Sequence, residues 1–143
     1  MQLSRFSDYT LRVLFYTATH RDRLSTLNEI ATFYGISTEH LRKVVHALGK
    51  RGYLQTYRGQ KGGLRLARAP ELINIGEVVA QSEGQAPLVD CHTQPCCLAG
   101  RCTLQQALAR AQQAFFDTLG EYTLADLLNN DAMRATLIVS SQE

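Results

Sequence analysis

A chain of 143 residues, 45% of them hydrophobic, can bury one core, and it contains no apolar run long enough to span a bilayer. Its formal net charge of +2 conceals a division: residues 1–70 hold twelve Lys/Arg against four Asp/Glu, and residues 71–143 hold three against nine. This excludes a membrane-spanning class and points the basic front toward an anionic partner such as nucleic acid. Residues 1–6 lack the apolar stretch of a signal peptide, so the expected location is cytoplasmic, where thiols stay reduced.

Leu11, Leu14, Phe15 and Ala18 recur at i, i+3, i+4 and i+7 and predict a first helix over about 7–20. Thr26-Leu27-Asn28-Glu29 has the form of a capping box, in which the threonine caps and the glutamate reaches back. Leu27, Ile30, Ala31 and Tyr34 continue as an apolar stripe, which Gly35 ends as a left-handed terminator. Ser37 restarts a helix as N-cap, with Leu41, Val44, Val45 and Leu48 facing inward until Gly52. Two short helices joined by a tight glycine turn form a helix-turn-helix. Ser37, Thr38, His40, Arg42 and Lys43 gather at the start of its second helix and off the stripe, where a recognition helix meets base edges. Arg42 suits a bidentate contact to guanine, and Lys43 suits phosphate.

Beyond Gly52 the period changes to that of strands. Leu54–Tyr57 and residues 64–67 flank a glycine-rich turn and predict a hairpin, which directly after a helix-turn-helix is a wing. Arg58 and Lys61 at its tip suit a narrow minor groove. The glycines at 59, 62 and 63 are not a nucleotide loop, because no helix follows them and the phosphate-loop spacing is missing. A solvated basic face is the plain alternative. The coincidence of charge with both motifs favours double-stranded DNA.

Pro70 closes a DNA-binding domain over residues 1–70. Ile75, Val78 and Val79 predict a connecting helix, and a cysteine loop from about Pro87 to Cys102 completes the segment 71–102. Thr103, with Gln106 in capping-box register, opens a longer helix striped by Leu104, Leu108, Ala111, Phe115, Thr118 and Tyr122. That near-heptad face fits a partner helix, so residues 103–143 are expected to hold a dimerisation helix and a C-terminal segment. Packing onto the chain's own front is the alternative. Thr123-Leu124-Ala125-Asp126 suggests one more capped helix. The fold class is mainly α: a winged helix-turn-helix DNA-binding domain plus a long dimerisation helix, forming a homodimer.

Cys91, Cys96, Cys97 and Cys102 are the chain's only cysteines. Packed into twelve residues, they point to a metal or redox centre rather than to core packing. A Cys96–Cys97 disulfide would be strained by the short Cα separation. Zinc sites usually use C-x2-C, which is absent here. Thiolates suit iron–sulfur clusters, whose irons commonly take four protein ligands, and adjacent Cys96 and Cys97 cannot easily point at one cluster together. Three cysteine ligands and one from elsewhere are therefore expected. Paired carboxylates, a Ser/His/Asp set and an active-site lysine are all lacking, so an enzyme is not expected.

The chain resembles, over nearly its whole length, the winged-helix iron–sulfur regulators. The resemblance is carried by Met1-Gln2-Leu3 through Asp8-Tyr9, Tyr34-Gly35-Ile36-Ser37, residues 57–63, Ile75-Gly76-Glu77-Val78-Val79, the cysteine loop, and residues 122–127. It looks most like the nitric-oxide-sensitive repressors of that family. The branch that senses iron–sulfur supply has a histidine three residues after its third cysteine, where this chain has Gln105. The nitric-oxide-sensitive branch places an aspartate near the start of helix one, and Asp8 stands there. The resemblance implies an iron–sulfur cluster (4Fe-4S or 2Fe-2S) held by Cys91, Cys96 and Cys102, with Asp8 of the partner subunit as fourth ligand. It also implies nitric oxide as signal and nitrosative-stress promoters as targets. Cys97 departs from the pattern and leaves the choice of middle ligand between 96 and 97 open. His92 is a further possible ligand, though a solvated loop histidine is the plainer reading. A carboxylate such as Asp8 in a helix's first turn is also stabilised by the macrodipole without any metal. Other readings are a same-fold regulator of iron–sulfur status or redox state, and a zinc-stabilised DNA-binding module.

Overall fold

Serine, threonine and asparagine side chains set where the chain turns helical. In the computed structural model, which describes residues 1–139, Ser4 caps helix α1 (Arg5–Thr19) by accepting from the Ser7 amide at 3.2 Å. Helix α2 (Leu27–Tyr34) begins with the predicted Thr26/Glu29 capping box and ends at Gly35, whose φ of 65° is left-handed. Ser37 caps helix α3 (Thr38–Lys50), Asn74 caps α4 (Ile75–Glu83), and Thr123 with Asp126 closes a capping box on α6 (Leu124–Leu127). Replacing such a cap by alanine costs about 0.5–2 kcal/mol. Between α3 and α4 lie strands β1 (Leu54–Tyr57) and β2 (Gly63–Leu66), then a 3-10 turn over Pro70–Leu72. Helix α5 (Thr103–Leu119) follows the cysteine loop, and α7 (Asp131–Val139) follows α6. The mainly α winged helix-turn-helix is thus present, with a long helix behind the cysteines.

Several predicted details shift. Helix α1 starts at Arg5 because Ser4, not a later residue, supplies the cap. Its stripe is also wider than predicted: Val13, Leu14 and Tyr16 are at most 2% exposed, whereas Leu11 and Phe15 are only half-buried. The reason is position. Helix α1 touches α3, α4, α6, α7 and β2, so it is covered on several sides, and even Ser7, Thr10 and Thr17 are buried. Their hydroxyls stay satisfied, with Thr10 donating to the Phe6 carbonyl and Thr17 to that of Val13. Thr103 does not cap α5. Cys102 occupies the N-cap, no side chain closes that end, and Thr103 is already helical. The expected C-terminal segment forms α7 and buries Leu137; its residues 140–143 lie outside the described residues.

The hairpin pairs antiparallel, Leu54 with Leu66 and Tyr57 with Gly63. Ser25 adds a short rung, its amide donating to the Leu64 carbonyl at 2.9 Å and its carbonyl accepting from the Leu64 amide at 2.7 Å. A side chain at Gly63 would bring a Cβ to 2.6 Å from the Ser25 carbonyl oxygen, so this rung requires glycine. Behind the wing, Ile73, Ile75, Val78, Val79 and Leu124 join Val13, Leu14, Leu41 and Leu48 in one apolar core. Helix α4 approaches the end of α5 closely through Gly76, where a Cβ would lie 2.6 Å from the Gly120 nitrogen.

Candidate DNA-binding surface and cysteine loop

Helix α3 separates its two faces sharply. Leu41, Val44 and Leu48 are at most 1% exposed, while His40, Arg42, Lys43 and His46 are exposed. Each fully buried aliphatic contributes roughly 1.5–3 kcal/mol, which holds the polar face outward. The Ser37 hydroxyl is occupied as a cap, accepting from the His40 amide at 3.3 Å, and Thr38 is half-buried beside it. Arg58 and Lys61 stand exposed on the turn of the hairpin. From His40 to Pro70 the chain has eight Lys/Arg and no Asp/Glu. Among the described residues Arg42, Lys43, Arg58 and Lys61 have no ion pair.

Two arginines of the same stretch serve the scaffold instead. Arg68 lies 4.4 Å over the Tyr53 ring and donates to the carbonyls of Gly52 and Arg51 at 3.1 and 2.9 Å. Arg51 donates to the Gln81 carbonyl at 2.9 Å, and the buried Tyr53 hydroxyl donates to the Gln81 side chain at 3.1 Å. These bonds fix the wing's root against the end of α3 and tie both to the last turn of α4. The turn of the helix-turn-helix is braced from behind. The Tyr34 hydroxyl donates to the Arg12 carbonyl at 2.9 Å, and burial raises its pKa above the ordinary tyrosine range. Glu29 accepts from Tyr16 at 2.9 Å and pairs with Arg23 at 2.6 Å. Burial opposes ionisation of Glu29, but the Thr26 amide, Arg23 and Tyr16 together hold its carboxyl below the ordinary value.

Helix α4 ends at Gly84, and residues 84–102 then run without helix or strand. The Asp90 carboxylate organises part of this loop. It accepts from the hydroxyl and amide of Thr93 and the amide of His92, which pull its pKa down to about 2. Cys91 and Cys102 are half-buried, Cys96 and Cys97 are exposed, and all four are free thiols. Cys102 sits at the N-cap of α5, and no side chain caps the first amides of that helix. Asp8 lies on the first turn of α1, its side chain 44% exposed and paired with Arg12 at 2.9 Å. Among the described residues no group of three or more His, Cys, Asp or Glu side chains converges as a metal site within one chain. The cysteines thus share a loop, while Asp8 belongs to a different element. This donor set fits an iron–sulfur group in its chemistry: soft thiols, unlinked to one another, with no other bond to satisfy.

Directly after the loop comes α5, which contains no buried residue. Leu104 is 63% and Tyr122 42% exposed, and Phe115, Phe116 and Leu119 only lean on the core. An apolar cavity of about 490 Å³ opens along this helix, lined by Leu3, Leu88, Leu108 and Phe115 among others.

The family model for the Iron-dependent Transcriptional regulator Rrf2 matches residues 3–130. An HTH-type transcriptional regulator NsrR of Halalkalibacterium halodurans is 46% identical over 142 residues, 96% of this chain and 97% of that protein. The NsrR of Shouchella clausii is 45% identical over 148 residues, 100% of this chain and 99% of that one. Among solved structures, T. potens IscR superimposes with a TM-score of 0.74 at 24% identity, covering 92% of this chain and 88% of that one, a likeness of fold.

Proposed function

The chain belongs to the Rrf2 family of transcriptional regulators, and on that premise we propose that it is a cytoplasmic, homodimeric repressor that senses nitric oxide through an iron–sulfur cluster. A transcriptional regulator of this family acts on DNA. The observation that carries the nitric-oxide reading is the adjacency of four free cysteines to a helix that holds no buried residue, in a chain whose stretch from His40 to Pro70 has eight Lys/Arg and no Asp/Glu. A seventeen-residue helix whose apolar stripe is largely exposed calls for cover, and a second copy of α5 supplies the same stripe in return. No helix among the described residues is long and apolar enough to cross a membrane.

Cys91, Cys96 and Cys102 would hold the cluster with Asp8 of the partner subunit, and Cys97 would stay free. A bound cluster supplies iron that reacts with nitric oxide, most readily at the iron whose protein ligand is an oxygen rather than a thiolate. The chain's own residues do the rest. Asp8, when not engaged by a partner, pairs with Arg12, whose guanidinium lies 5.6 Å from the centre of the Tyr34 ring. Its neighbour Tyr9 meets His40 on the first turn of α3, ring centres 6.3 Å apart. A change in what Asp8 holds is therefore felt at both ends of the turn that aims the recognition helix. Two recognition helices held at fixed spacing read two half-sites; released, they lose affinity.

The test uses protein purified without oxygen. Iron and sulfide should be present, and titration with nitric oxide should weaken binding to a duplex spanning two half-sites. DNA affinity that is unchanged after nitric oxide defeats the nitric-oxide reading and favours a regulator of iron–sulfur status or redox state. Stoichiometric zinc without iron favours a zinc-stabilised module.

A further inference from the structure

We propose that the outer face of the wing, built from Gln55, Tyr57 and Arg65, is a second DNA contact that grips the sugar–phosphate backbone beside the groove reached by the wing tip. The inference rests on the DNA-binding reading and extends it to residues that neither charge runs nor motif spacing single out.

Strand alternation makes this face. Leu54 and Leu64, at 3% and 4% exposure, point into the core, so their neighbours Gln55 and Arg65, directly opposite each other in register, point out. Tyr57 shares the outer face and is 46% exposed. Its hydroxyl donates to the Gln55 side-chain oxygen at 3.1 Å, and the Arg65 guanidinium carbon lies 5.9 Å from its ring centre. The tyrosine thus holds both neighbours in place, while the Gln55 amide hydrogens remain available to an acceptor. The Arg65 Nε is buried and has no hydrogen-bond partner. Arg51 and Arg68, by contrast, have their acceptors within the fold. A guanidinium fork with an unused donor matches a phosphate, whose two oxygens accept from Nε and one terminal nitrogen once the side chain turns off the ring.

The chemistry of the occupant follows from what surrounds the face. It is continuous along β1 with Arg58 at the tip, and no acidic residue occurs from His40 to Pro70. A regularly charged polyanion already held by the tip would run past Arg65, with Tyr57 flat enough to pack on a deoxyribose. Contacts of this kind position a protein on a duplex without reading sequence. An arginine–tyrosine pair across two strands can also serve sheet stability alone, and salt dependence separates the two roles.

The experiment measures binding of oxygen-free protein to two duplexes, one selected by this protein from a randomised pool and one scrambled, across a series of salt concentrations. Arg65→Gln should weaken both by the same factor, roughly three- to tenfold near 0.1 M salt, and reduce the slope of log K against log salt by about 1. Arg65→Lys should keep most of the slope, and thermal melts should show both variants folded. Arg42→Ala serves as the control, because it should lose discrimination between the duplexes. If Arg42→Ala loses discrimination while Arg65→Gln and Tyr57→Ala keep wild-type affinity and slope, this proposal fails alone, and the face belongs to sheet stability or a protein partner. If the wild type binds neither duplex, the DNA-binding reading fails and takes this proposal with it.

Discussion

From Leu41 to Leu54 the inward residues are sealed, with Leu41, Val44, Leu48, Tyr53 and Leu54 at most 3% exposed, and Arg42 and Lys43 face solvent without an ion pair among the described residues. From Gly84 to Leu119 the pattern reverses: α5 contains no fully buried residue, Leu88, Leu98 and Leu104 are 44–63% exposed, and the four cysteines form no disulfide. The front presents cations without ion-pair partners, which suits a polyanion that a transcriptional regulator must be able to release. The rear lacks apolar cover, which costs folding energy to leave open and so calls for a lasting partner. The exposed cations and the exposed apolar side chains are thus segregated along the chain, with the last turn of α4 between them. Gln81 there holds Arg51 and Tyr53, Ser82 accepts from Ser7, and Glu83 accepts from the Ser4 amide.

The comparison breaks most visibly at the thiols. Cys91→Ser or Cys102→Ser should abolish the iron–sulfur absorbance of oxygen-free protein, whereas Cys97→Ser should leave it intact. Bleaching by Cys97→Ser with retention in Cys96→Ser would move the middle ligand to position 97. Next in size is the contrast between two leucines. Leu41→Ala should cost about 2–5 kcal/mol in chemical denaturation, because it empties a sealed site. Leu104→Ala should leave the fold nearly unchanged but raise the dimer dissociation constant in sedimentation; equal unfolding costs for the two would erase the distinction between sealed front and open rear. Arg42→Ala and Arg58→Ala should each weaken discrimination by roughly 1–3 kcal/mol in titrations against matched and mismatched duplexes, with cluster absorbance unchanged. The smallest effect concerns Glu29. Its carboxyl is lowered from 4.5 in the fold, so its contribution is present above that pH and is lost as pH falls through the lower folded value. At this partly solvated pair the loss should stay below about 1 kcal/mol, and Glu29→Gln should flatten the acid limb of the stability curve.

Much of the front was legible because its signals are local. A capping box at Thr26/Glu29, a left-handed glycine at 35 and a cap at Ser37 each act within four residues, and all three are where the sequence puts them. Thr103 shows the limit. It has the composition of a cap, but the cap position demands extended backbone, and the loop delivers Cys102 in that conformation instead. The cysteine loop offers the sequence reader residue types but no geometry, because no hydrophobic period governs residues 84–102.

Sequence alone determined the caps and stops around the helix-turn-helix, the hairpin and the clustering of charge and thiols, since each depends on neighbours a few bonds away. Only the tertiary structure decided which arginines are free, because Arg51 and Arg68 look no different from Arg42 and Arg58 until carbonyls brought together by folding claim them. It likewise decided that α1 is covered on several sides while α5 packs only one side on α4 and the core and buries no residue fully. Burial is a property of what packs against a helix, and two equally apolar stripes can meet opposite fates.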